Sequence, residues 1–74
     1  MADVDVTSGV VCHLDQLLEA RGMTLKALSD EVGVSVVNLS VMKNNRAKAI
    51  RYTTLTAICI ALDCQPGELL SVNT

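Results

Sequence analysis

The chain has 74 residues, half of them apolar, and a formal charge of −2, so it holds one domain with a modest core and leaves no room for a separate ligand-binding or enzyme domain. Tyr52 is the sole aromatic, and Leu, Val, Ile, Ala, Met and Cys must fill that core. No apolar run approaches a membrane span and residues 1–9 hold Asp3 and Asp5 but no basic residue, unlike a secretory signal; the expectation is a soluble, cytoplasmic protein with no membrane partner.

Residues 1–8 read as a flexible N-terminal tail. Their short alternation, Val4-Asp5-Val6, offers the alternative of an edge strand paired with Leu70-Ser71-Val72 or with a second subunit. A first helix is expected from about Gly9 to Arg21, with Val10, Val11, Leu14, Leu17 and Leu18 on one face and Asp15, Gln16 and Glu19 toward water. Gly22 is a natural left-handed stop. His13 reads as a polar residue near that helix start, with no serine, cysteine and carboxylate arrangement around it that would make it catalytic.

Thr24 is placed to cap the next helix, where Leu25, Leu28 and Val32 recur at helical spacing and Lys26, Asp30 and Glu31 form the polar face. Gly33 interrupts, Ser35 caps again, and Leu39 and Met42 resume the period as far as Lys43 or Asn44. Two helices leaving so tight a corner must cross steeply. Gly33 supplies the backbone freedom, and the small Ser29 lets the second helix approach. This is a helix-turn-helix pattern, and it points to DNA binding.

Asn45 tolerates the left-handed conformation that ends a helix, and residues 46–52 form a loop. Tyr52 or Thr53 opens a fourth helix with Leu55, Ile58, Cys59 and Leu62 inward, and Pro66 starts a short fifth helix ending near Leu70. The fold class expected is all-α, with Leu14, Leu17, Leu18, Leu28, Val32, Leu39, Met42, Leu55, Ile58, Leu62 and Leu69 in one core.

Cys12, Cys59 and Cys64 are odd in number and form no disulfide framework, which fits a reducing compartment. Their spacing, with His13 included, matches no compact zinc-ligand pair. They read as small hydrophobes, and no metal or cofactor is expected.

A net charge of −2 is wrong for a nonspecific polyanion binder, but its distribution is uneven. From Val32 to Leu62 there is no Asp or Glu, while Lys43, Arg46, Lys48 and Arg51 all lie there; that segment carries +4 and the remainder −6.

From about Leu14 to Leu70 the chain resembles the phage-repressor and Cro type of helix-turn-helix proteins, including small bacterial regulators made of this domain alone. The likeness rests on the first-helix leucines, the Arg21-Gly22-Met23-Thr24 junction, the helix-turn-helix itself, and the run Thr54-Leu55, Ile58-Cys59, Leu62, Cys64 and Pro66-Gly67-Glu68-Leu69-Leu70. It implies a compact bundle of about five helices spanning residues 9–70, with helices 2 and 3 as the motif, helix 3 in the major groove, and residues 71–74 as a C-terminal tail. The pattern places Val36, Val37 and Val41 where base contacts are usual, with Asn38 and Ser40 nearby.

Asn44 completes the outward set of helix 3, while Ser35 at its start is placed for a phosphate. Lys43, Arg46, Lys48 and Arg51 are the basic phosphate candidates on one side, and Lys26 on the other. Leu25 departs from the family, which often has a phosphate-binding polar residue there; the Thr24 hydroxyl stands in. The valines depart as well, since they touch thymine methyls but make no bidentate hydrogen bonds. Three readings of them stay open: base contact, a protein-binding patch, or burial of Val36 or Val37.

The expected function is a sequence-specific DNA-binding transcriptional regulator, a repressor acting on double-stranded DNA as a homodimer, not an enzyme. Helices 4 and 5 with the C-terminal tail are the first candidate for the dimer contact, and the N-terminal strand the next. The alternative is a protein-interaction module, such as an antitoxin-like partner of another protein, built on the same fold.

Overall fold

Four left-handed residues divide this chain into helices. The computed structural model describes residues 9–47 and 49–72, with the order β1 (Val10–Cys12), α1 (Leu14–Arg21), α2 (Leu25–Val32), α3 (Val36–Lys43), α4 (Tyr52–Leu62), α5 (Pro66–Leu69) and β2 (Leu70–Val72). Gly22, Gly33, Asn45 and Asp63, at φ of 63°, 75°, 61° and 52°, follow α1 to α4 respectively. After α1, α3 and α4 the chain closes in the same way, with Met23 donating to the Leu18 carbonyl, Arg46 to Val41 and Cys64 to Cys59, each at 2.9 Å. These bonds satisfy carbonyls that a helix end would leave without partners.

The helices enclose an aliphatic core. Leu14, Leu28, Leu39, Ile58, Leu62 and Leu69 are fully buried, and Leu18, Met42, Cys59 and Cys64 nearly so. Leu17, Val32 and Leu55, expected in the core, are half-buried at its edge, as is Leu25. Cys64 enters the core because the left-handed turn at Asp63 folds it back beside Cys59.

The molecule is not purely helical. Val10–Cys12 forms a strand where the first helix was expected to begin, pairing antiparallel with Leu70–Val72 in the register Val10↔Val72, Val11↔Ser71, Cys12↔Leu70. Helix α1 starts only after His13. Two adjacent β-branched valines suit a helix face or a strand equally in so short a run, and the partner that decides is at the other end of the chain. Ser71 and Val72, assigned to the tail, are thus in β2. Leu70–Val72 does pair, but with Val10–Cys12; Val4-Asp5-Val6, like all of residues 1–8 and 73–74, lies outside the described residues. Among the described residues, no helix is long and apolar enough to cross a membrane.

Side chains reaching between elements hold this frame. The Arg21 guanidinium donates through Nε to the Leu62 carbonyl at 2.6 Å and through Nη2 to the Asp63 carbonyl at 3.1 Å, tying the end of α1 to the end of α4. The Cys12 amide donates to Asn45 Oδ1 at 2.7 Å, joining β1 to the end of α3.

Leu39 sits where α3 meets the core and is 0% exposed. Leu39→Ala is expected to lower unfolding free energy by about 2–5 kcal/mol, measured by urea denaturation. A loss under about 0.5 kcal/mol, the scale of surface substitutions, would contradict this placement.

Candidate nucleic-acid interface

Helix α3 is set by the turn that precedes it. Gly33 ends α2, its amide donating to the Ser29 carbonyl at 3.0 Å, and the Ser29 hydroxyl donates to the Val34 carbonyl at 2.6 Å. Ser29 is therefore more than a small residue at a crossing, because it holds the turn itself. Ser35 then caps α3, its Oγ accepting from the Asn38 amide at 3.1 Å, and Thr24 caps α2 in the same way, from Ala27 at 3.0 Å. In both caps the oxygen is used as acceptor, and the hydroxyl proton remains to be donated outward.

With Leu39 and Met42 buried, α3 presents its other side to solvent. Val37 is 71% exposed, and Val36 and Val41 are each 37% exposed, so the valines divide into one fully presented and two partly shielded side chains. Asn38 is exposed beside them.

Five residues singled out in the sequence meet around one cleft of about 650 Å³, between the start of α3 and the chain leading into α4: Ser35, Asn38, Val41, Arg46 and Arg51, joined by Thr54. Arg46 and Arg51 are exposed, and among the described residues no acidic side chain lines the cleft. Thr54, part of the family likeness but not of the predicted site, lies in the first turn of α4, a place that becomes meaningful only when Arg51 and Ser35 come together.

Other candidates sit elsewhere. Lys43 Nζ pairs with Asp15 Oδ2 at 3.1 Å, with its side chain only 27% exposed, which ties α3 to α1. Lys26 pairs with Asp30 at 3.1 Å on the exposed face of α2. Asn44 donates to the Ser40 carbonyl at 2.9 Å and lies near its hydroxyl at 3.4 Å, so both side chains serve the C-terminal end of α3. Lys48 lies outside the described residues.

Burial pushes the Cys12 thiol up, and burial together with the neighbouring Cys59 pushes the Cys64 thiol up to about 11. Among the described residues, no group of three or more His, Cys, Asp or Glu is arranged to hold a metal ion.

Comparison with known proteins identifies the family. The family model described as the Cro/C1-type HTH DNA-binding domain matches residues 13–74. A protein of Bacillus subtilis (strain 168), described as the uncharacterized HTH-type transcriptional regulator YozG, is 49% identical over 65 residues, covering 88% of this chain and 77% of that protein. The crystal structure of the transcriptional regulator VanUg superposes with a TM-score of 0.70 at 29% identity, over 95% of both chains.

Because the Ser35 hydroxyl caps α3, Ser35→Ala is expected to lower unfolding free energy by about 0.5–2 kcal/mol, and Ser35→Gly by only a few tenths. Thermal melts of the two variants check the difference; equal losses would mean that the hydroxyl contributes nothing as a cap.

Proposed function

The chain belongs to the Cro/C1-type helix-turn-helix family of transcriptional regulators, DNA-binding proteins that act on double-stranded DNA, and on that premise we propose that it is a sequence-specific repressor that reads the major groove with α3. The observation that carries this reading is the cleft at the start of α3, where Ser35, Asn38, Arg46 and Arg51 converge and, among the described residues, no acid intrudes.

A helix laid in the major groove meets base edges along its exposed face and phosphates at its ends. In the proposed complex Asn38 and Val37 meet bases. Val36 and Val41 add apolar contact at the margin. Ser35, at the amino end where backbone amides lack intrahelical partners, binds a phosphate with Arg46 and Arg51 on one side of the groove. Thr24 and Lys26 approach the opposite strand, with Lys26 exchanging Asp30 for a phosphate; Lys48, outside the described residues, is kept as a phosphate candidate on its charge alone. Lys43, held by Asp15, supports the helix more than it contacts DNA. Ser40 and Asn44 likewise finish the helix before they reach a base. Repression follows from occupying the site, two half-sites a turn apart call for a homodimer, and the cytoplasm is where such a protein meets its DNA.

Val37, 71% exposed, also supports the second reading, a protein-binding patch on α3. Selection of bound fragments from random DNA, followed by footprinting, separates the two.

Replacing Arg46 or Arg51 by Ala is expected to weaken binding to all DNA sequences alike and to reduce the slope of log affinity against log salt by about 1 each. An unchanged slope would place both side chains in solvent. Asn38→Ala is expected to narrow discrimination between a preferred site and a single-base variant by about 1–3 kcal/mol at fixed salt, with Val37→Ala losing less. If neither substitution changes discrimination but both abolish binding to a protein partner, the patch reading replaces the repressor.

A further inference from the structure

The end of α4 places two thiols side by side. Asp63 turns the chain at φ 52°, the Cys64 amide returns to the Cys59 carbonyl at 2.9 Å, and both residues are buried where the turn closes. Helix ends of this form ordinarily make an apolar contact between these two positions. Here both are cysteine. The pair is buried in the core yet lines a shallow surface cleft with Thr56, Ile60, Asp63 and Pro66, so a small solute reaches it without unfolding the helix. Cys12 is apart from them, on β1, lining a different cleft with Met42 and Ile50.

We propose that Cys59 and Cys64 form an oxidation-sensitive dithiol, which a peroxide closes into an intramolecular disulfide across the end of α4. One sulfur, as thiolate, attacks a peroxide oxygen; the O–O bond breaks, hydroxide leaves and is protonated to water, and a sulfenic acid remains. The second sulfur then attacks the sulfenic sulfur, the S–S bond forms, and the hydroxyl departs as a second water. The two sulfurs together lose two electrons and the peroxide gains them. Because the backbone already brings Cys64 back to Cys59, closure asks for side-chain rotation within one turn instead of movement of a distant strand.

The surroundings set the rate. Burial, Cys59 and Glu68 push the Cys64 thiol up to about 11, and Arg21, which already holds the end of α4, opposes them. Thiolate at Cys64 is therefore scarce at neutral pH, and a mildly alkaline solution speeds its oxidation.

No Lys or Arg follows Arg51, so both cysteines fall in one tryptic peptide beginning at Tyr52, separate from Cys12. Native full-length protein is treated with hydrogen peroxide at mildly alkaline pH, alkylated, and weighed intact and after digestion. The expected result is a monomer whose Tyr52 peptide has lost two hydrogens and takes up no alkylating agent, with the loss reversed by dithiothreitol and with Cys12 alkylated. Addition of oxygen atoms alone, disulfide-linked dimers, no reaction, or closure only after unfolding in urea would each overturn the proposal.

Discussion

Helices of eight residues have almost no stability in water by themselves, and three of the four longer helices here have that length. The fold therefore depends on turning each helix back onto a shared core before it frays. Left-handed residues at Gly22, Gly33, Asn45 and Asp63 supply the turns, and the fully buried leucines supply the return. Neither works alone. Leu28 and Leu39 lie on the two helices of the motif and share one core, so the corner at Gly33 is held from the inside by burial and from the outside by Ser29 on the Val34 carbonyl.

What was legible in the sequence was local. Thr24, Gly33 and Ser35 announce the ends of α2 and α3 because a cap and a left-handed stop act on residues three or four positions away, and Leu28, Leu39 and Met42 fix the inward face by spacing. Asn45 was readable as a helix end for the same reason. The ribbon was not, since Val10 and Val11 continue the apolar pattern of α1 and their partners stand some sixty positions away. Arg21 could be counted as a charge, but nothing near it reveals that it spends its donors on the Leu62 and Asp63 carbonyls.

The site shows the same division. Charge segregation from Val32 to Leu62 identified which stretch carries the basic residues, and the structure gathers Arg46 and Arg51 beside Ser35 and Asn38. Which cations are already engaged is a matter of tertiary distance. Lys43 is as basic in sequence as Arg46, yet one faces Asp15 of α1 and the other opens onto the cleft. Asn44 is as polar as Asn38, yet it turns back to Ser40. Composition supplies the candidates, and competition among intramolecular partners selects from them.

That selection concentrates the proposed recognition at the first half of α3. The second half is committed to the fold through Asp15–Lys43, Ser40–Asn44 and Asn45 on the Cys12 amide. With Asn38 the one exposed amide side chain left among the valines, the proposed hydrogen-bonded readout reduces to very few base pairs per copy, and the proposed methyl contact from Val37 favours thymine beside them. On the proposed reading as a homodimer, so narrow a direct readout from one copy places the remaining selectivity in the spacing of two copies and in the shape of the DNA between them. In the proposed complex, phosphate contacts from Arg46 and Arg51 set register and strength without naming a sequence, which reconciles a chain of net charge −2 with a reader of DNA: four basic residues and no acid fall between Val32 and Leu62.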